Sequence, residues 1–302
     1  SRMSFVSVNG VRLNVVEMPQ RSRRRKPGLP IVLVHGLAAS SAFWYAAGGP
    51  ALSLLGPCMA YDLRGHGKSG RPDTGYSVAD MADDLEALLD ERGIESADFV
   101  AHSFGGMITL LFALRHPERV RSLVLVDVRV RPLQASVDVK LPHVPPKIAQ
   151  RLENLGFDVE ALAQADDGME YLNFVARIQV EAGSDASELL NALYRHSLLF
   201  RTPKAAMKWI ELTEQASLVA DIKNGDPFDK EDLRQLQKPM LVLVGGKSTT
   251  LASAKGLSLL CPQAILKVVP DVGHFFPVSK PKLFLQPTMR FLYGIAKRDD
   301  NA

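Results

Sequence analysis

The sequence predicts an α/β fold: a mostly parallel central sheet flanked by helices, with an inserted helical cap. Three observations carry this expectation. Short, wholly apolar runs recur at 31–34 (IVLV), 123–126 (LVLV) and 241–244 (LVLV), and 98–101 (DFVA) is similar. Such runs suit strands buried on both faces, as in a parallel sheet. Amphipathic segments lie between them, and strands that alternate with helices build this class of fold. The alternation then breaks after about residue 130 and resumes at Pro239.

Taken in order, residues 4–18 read as two short strands around Asn9-Gly10, a strong hairpin signal. The run at 31–34 is the third strand. Residues 77–91 form the clearest helix: Ser77 and Asp80 make a capping-box start, Val78, Met81, Leu85, Leu88 and Leu89 share a face, and Gly93 ends it. The strand at 98–101 leads into a helix at 105–115, stopped by Pro117. Residues 131–233 lack apolar strand runs, contain Pro142, Pro145 and Pro146, and otherwise read as helical, with Leu152, Leu155, Leu162, Leu189, Leu190 and Leu193 among polar neighbours. They are expected to form the cap, and 3–130 with 234–300 the core. Strands at 241–245 and 265–269 follow, then a last helix at 282–297 whose first turns Pro287 should distort.

The composition sets bounds. A chain of 302 residues, 46% hydrophobic and 23% charged, is long enough for one large core with a smaller cap. Its net charge of +3 is too small to point to nucleic acid. The basic run from Arg21 to Lys26 is expected to be a solvated loop. No apolar run is long enough to span a membrane. The N-terminus lacks the order of a signal peptide, and Ser1 and Arg2 ahead of Met3 are expected to be an extraneous addition. Cys58 and Cys261 lack metal-ligand spacing and are expected to be buried apolar residues in a reducing, cytoplasmic setting, although a disulfide between them stays open. None of the seven histidines pairs at metal-ligand spacing, so neither metal nor cofactor is expected. The expected partner is a small-molecule substrate; the oligomeric state is unknown.

The chemistry concentrates at strand ends. Ala101-His102-Ser103-Phe104-Gly105-Gly106 joins a predicted strand to a predicted helix, the context a nucleophile elbow requires. So sharp a turn needs small flanking residues, and Ala101 and Gly105 supply them. It lifts the serine hydroxyl to a helix N-terminus, where backbone N–H groups favour developing negative charge. The loop 34–40 (VHGLAAS) follows the third strand, so the N–H of Leu37 could join that of Phe104 in an oxyanion hole, while His35 reads as structural. Gly273-His274 follows the last strand, and a histidine is suited to take a serine proton near neutral pH. Two Gly-Lys-Ser stretches, 67–69 and 246–248, look like P-loop ends. The required earlier glycine is replaced by Asp62 and Leu241, which excludes phosphate cradling of that kind.

Together the elbow, the oxyanion loop and the late histidine resemble the α/β-hydrolase superfamily over nearly the whole chain outside the cap. Asp62-Leu63-Arg64-Gly65-His66-Gly67-Lys68-Ser69 is also typical of its single-domain members and reads as a structural turn near the site. The resemblance implies the α/β-hydrolase fold and Ser103 with His274 as nucleophile and base. It leaves the substrate open, because the fold hosts many chemistries.

One position departs from the family pattern. The third triad member is usually an Asp after the seventh strand, where this chain has Ser248. Three explanations compete. Asp127, directly after the sixth strand, could be a relocated acid, a placement similar to that of the haloalkane dehalogenases. Asp226 or Asp229 could supply the acid from the end of the cap. The site could also be a dyad, or degenerate. The leading expectation is a serine hydrolase that cleaves an ester, lactone, thioester or ketone-adjacent C–C bond of a small lipophilic substrate through an acyl-enzyme. The alternatives are a non-catalytic ligand-binding scaffold, and a lyase or cofactor-free oxygenase that uses the histidine as a base. In the cap, Trp209, Phe174 and Phe200, with Tyr171 and Tyr194, are candidate pocket residues.

Overall fold

A computed structural model of the chain describes residues 1–302 except 23–25, 138–143, 164–167 and 194–198. Pro142, Tyr194 and the middle of the basic run lie outside the described residues. Among the described residues eight strands form one sheet: β1 (Arg2–Val8), β2 (Val11–Met18), β3 (Ile31–Val34), β4 (Cys58–Tyr61), β5 (Ala97–His102), β6 (Val120–Val126), β7 (Met240–Gly245) and β8 (Ala264–Val269). Their order is β1-β2-β4-β3-β5-β6-β7-β8. β1 and β2 form an antiparallel hairpin, β2 meets β4 antiparallel, and every other pairing is parallel. At the hairpin both Asn9 and Gly10 have positive φ, as a two-residue turn matched to strand twist requires.

Alternate residues of each central strand serve opposite faces. On β3, Val32 and Val34 enter one apolar cluster and Ile31 and Leu33 the other. β4, with the sequence CMAY, was not among the expected strands: it is four residues long and lacks β-branched side chains. β6 begins three residues before its apolar run. Arg121 and Ser122 are held in the strand by Asp98 on β5, at 2.6 and 2.7 Å.

The helices are α1 (Ala42–Ala46), α2 (Val78–Glu91), α3 (Phe104–Arg115), α4 (Pro146–Asn154), α5 (Val159–Ala163), α6 (Gly168–Glu181), α7 (Ala186–Leu193), α8 (Pro203–Gln215), α9 (Leu218–Lys223), α10 (Lys230–Gln235), α11 (Leu251–Leu260), α12 (Phe276–Ser279) and α13 (Pro281–Asp300). Ser77 caps α2 in a full capping box with Asp80. α13 runs without an assigned break through Pro287, so the expected distortion does not interrupt it. Helices α4–α10 all lie between β6 and β7, the inserted helical cap. Leu152, Phe157, Ile178 and Leu189 form a small core of the cap's own, while Val175, Ala176 and Trp209 pack into the main cluster. Both cysteines are buried and free, and burial pushes the Cys58 thiol up to about 12. No helix among the described residues is long and apolar enough to cross a membrane.

Candidate active site

The site lies where β5, β6 and β8 end. Ser103 follows β5 and is the N-cap of α3, with φ 53° and ψ −127°. A residue with a side chain pays of order 1–3 kcal/mol to sit in such a region. The surroundings hold it there: its N–H donates to Val126 at 3.1 Å, and its carbonyl accepts from Gly106 at 2.9 Å. The glycines next to it are required by contact. A Cβ on Gly105 would lie 2.4 Å from the Val34 oxygen, and one on Gly106 2.2 Å from a Val128 methyl. A Cβ on Gly36 would meet that of Ser103 at 2.9 Å, so the loop after β3 rests on the elbow.

His274 follows β8, and its Nε2 stands 3.0 Å from Ser103 Oγ. Its Nδ1 stands 3.3 Å from Asp127 Oδ1. An ionised carboxylate only accepts, so the ring proton belongs on Nδ1, which leaves Nε2 free to accept from the serine hydroxyl. The Asp127 side chain is wholly buried, whereas that of His274 keeps 26% of its surface open. Asp127 is the first residue after β6 and also has positive φ, 50°. Two further donors meet its carboxylate: the Gly245 N–H on Oδ2 at 2.9 Å and the Thr250 hydroxyl on Oδ1 at 2.8 Å.

The other acid candidates are engaged elsewhere. Asp226 pairs with Arg131 at 3.3 Å, and Asp229 caps α10. Ser248 contacts Thr250 instead: its Oγ accepts from the Thr250 N–H at 3.2 Å and lies 3.1 Å from the Thr250 hydroxyl. The residue at the usual acid position thus orients a hydroxyl toward the carboxylate at the neighbouring strand end.

The backbone N–H groups of Leu37 and Phe104 flank Ser103 on the loop after β3 and at the start of α3. Neither is engaged by a hydrogen bond among the described residues. Asp62 braces this region, accepting from the Ser41 N–H (2.7 Å), the Lys68 N–H (2.9 Å) and the Asn14 amide (2.9 Å). His35 is buried and spans between backbone groups, with Nδ1 donating to Gly36 at 2.7 Å and Nε2 accepting from the Leu63 N–H at 3.0 Å.

His102 is a site neighbour that the sequence reading passed over. It is buried, stacks on Phe43 at 4.4 Å between ring centroids, and donates from Nε2 to the His274 carbonyl at 2.9 Å. Burial, followed by the proximity of His274, holds its pKa well below the ordinary value, so the ring is neutral and fixes the backbone of His274. No spacing rule singles out a histidine beside the nucleophile for that task.

A cleft of about 460 Å³ opens beside the loop that follows β3. Its wall includes Ala38, Phe43, His66, Phe200, Trp209 and Leu212. Neither Ser103 nor His274 lines it; it approaches them through Ala38 and Ala39 of the loop after β3 and through Phe43, which stacks on His102. Of the cap aromatics expected in the pocket, Trp209 and Phe200 line the cleft. Phe174 does not: it is half-buried and packs edge-on against Phe157 at 5.5 Å, against the cap's own core. Tyr171 is half-buried against the main cluster. Among the described residues no group of three or more His, Cys, Asp or Glu side chains converges as a metal site.

Comparison with known proteins agrees with this architecture. The model of the alpha/beta hydrolase fold family matches residues 30–281. The chain belongs to the α/β-hydrolase family. A protein of Caulobacter sp. strain K31 named "Putative carbamate hydrolase RutD" is 30% identical over 271 residues, covering 88% of this chain and 91% of its own. Among solved structures, Est816, described as an N-acyl homoserine lactone degrading enzyme, superposes with a TM-score of 0.62 at 26% identity, over 95% of this chain and all of its own. A haloalkane dehalogenase variant from Bradyrhizobium elkanii gives 0.67 at 22% identity over 99% of each chain, which speaks to the fold alone. The family membership, with these relatives, makes the chain an α/β-fold hydrolase.

Proposed function

We propose that this α/β-hydrolase cleaves small acyl compounds through an acyl-enzyme on Ser103. The observation that carries the reading is the hydrogen-bonded chain from Ser103 through His274 to Asp127, at 3.0 and 3.3 Å. His274 Nε2 takes the serine proton as Oγ attacks the carbonyl. Asp127 holds Nδ1–H and stabilises the imidazolium that forms. The oxyanion develops between the N–H groups of Leu37 and Phe104. His274 then gives its proton to the leaving group and later activates water against the acyl-enzyme. With a carboxylate on the histidine, the missing acid at Ser248 no longer argues for a silent binding scaffold.

The substrate is a small ester, lactone, thioester, carbamate or ketone-flanked C–C compound. The relatives' named activities, on a carbamate and on an N-acyl homoserine lactone, fall within acyl transfer to water. Phe43, Phe200, Trp209 and Leu212 suit an apolar portion of such a molecule. Rapid-quench mass spectrometry with p-nitrophenyl butyrate tests the reading. The expected result is a transient butyryl adduct on the Ser103 peptide. Turnover that survives Ser103→Ala would sink it.

A further inference from the structure

The cleft beside the loop after β3 has no task in the acyl-transfer chemistry itself, yet its wall has a pronounced charge. Arg71, Arg201, Lys204 and Lys208 line it, and among the described residues no Asp or Glu does. All four are exposed, and none has a salt-bridge partner among the described residues. Arg71 donates to the backbone carbonyl of Lys208, tying the turn that follows β4 to α8. The start of α8 lies in the same wall, capped by Thr202 with Pro203 at its first position, so its positive dipole end adds to the cations. On a chain whose net charge is only +3, this is a local concentration.

The same cleft holds an unmet acceptor. His66 is almost fully buried, and its Nδ1 donates to the Arg64 carbonyl at 2.9 Å. Its Nε2 is therefore an acceptor, and it finds no partner among the described residues. Burial first, and then the neighbouring His35, lowers its pKa to about 3, so the ring stays neutral and does not join the cations. A buried acceptor without a donor costs free energy until something supplies one.

We propose that this cleft is the recognition subsite for an anionic end of the substrate, a carboxylate or a phosphate, on the same molecule whose carbonyl Ser103 attacks. The proposal rests on the hydrolase reading above. The cations at the mouth hold the anion, the aromatic wall covers the chain between, and His66 Nε2 accepts from an N–H or O–H of that chain. A compact anion within a few ångströms of several cations in a partly desolvated cleft gains more than one in open water.

The test uses the Ser103→Ala protein, which binds without turnover. Monomethyl adipate and its neutral analogue dimethyl adipate are titrated by NMR at low salt. The expected result is binding of the anion about tenfold tighter, a preference that shrinks as salt screens it. An Arg201→Gln/Lys204→Gln/Lys208→Gln variant on the same background should bring the ratio of the two affinities toward one. Displacement by inorganic phosphate supports a phosphorylated substrate; preference without displacement supports a carboxylate. Equal affinities, or a preference that the triple variant keeps, overturn the subsite. Fluorophosphonate labelling of the wild type runs beside it. A labelled Ser103 with equal affinities sinks the subsite alone; an unlabelled Ser103 with a clear anion preference sinks the hydrolase reading and with it the subsite's role in substrate recognition, leaving an anion-binding cleft.

Discussion

Asp127 sits at the meeting point of three donors, from Gly245, Thr250 and His274. Its replacement by Asn keeps the shape but can leave the wrong tautomer on His274. Asp127→Asn is therefore expected to lower kcat by about three to four orders of magnitude, as for other triads. Asp226→Asn and Asp229→Asn should change it little, since those side chains serve Arg131 and the α10 cap. Steady-state hydrolysis of p-nitrophenyl butyrate by the three variants checks both statements. Thr250→Val removes one hydrogen bond to a buried carboxylate, and a loss of about tenfold in kcat is expected in the same assay. That Ser103, His274 and Asp127 come together was legible in the sequence because each lies just past the C-terminal end of a strand, Asp127 immediately after β6, Ser103 immediately after β5 and His274 in the loop that follows β8. Thr250 and His102 were not, since both act through a third residue and neither spacing nor residue type announces such a role. Phe174 misled because an aromatic in a cap helix reads alike whether it faces a ligand or the cap's own core.

At the scale of elements, the elbow depends on how close α3 comes to β3. A methyl on Gly105 would press on two backbone oxygens, Val34 at 2.4 Å and His35 at 2.5 Å, which cannot move without the strand. Gly105→Ala is expected to destabilise the fold by about 3 kcal/mol, the upper end of overpacking costs. Gly273 has open space around its Cβ position, so Gly273→Ala should leave stability within about 0.5 kcal/mol. Urea denaturation of the pair checks the contrast. The turn after β4 is locked to α2 in another way, by the buried bidentate pair of Arg64 with Asp84, both contacts at 2.7 Å. Asp84→Ala strands a buried guanidinium and should cost about 3–5 kcal/mol. Element type followed from hydrophobic period wherever the period was long, as in α2. β4 escaped because four residues without β-branching carry no period, and its place in the sheet comes from pairing with β2 and β3.

The whole molecule carries a pH dependence through its buried imidazoles. His35, His66 and His102 are all held neutral, with burial the leading cause for each, and His66 lies near 3. Unfolded histidines titrate near 6.5. Below that pH the unfolded chain takes up protons that the native state refuses. Stability is therefore fully present above about 6.5 and falls as pH drops toward the native values. With all three contributing, the slope approaches about 4 kcal/mol per pH unit. Urea midpoints measured from pH 7.5 to 5 should fall steeply below 6.5; a flat profile would contradict neutral burial of the three rings. The same cooperation of distant segments explains why the sheet order and the cleft were beyond sequence reading. The cleft takes walls from the loop after β3, the turn after β4 and the start of α8, which only the folded chain brings together.

The central claim is that Ser103 is activated by His274 with Asp127 as its acid. Labelling with a fluorophosphonate probe, read by peptide mass spectrometry on the wild type and Asp127→Asn side by side, tests it most directly. Rapid labelling of wild-type Ser103 that collapses in the variant is the expected result. Equal labelling of both proteins would remove Asp127 from the triad, and a folded wild type that does not label would contradict the serine mechanism itself.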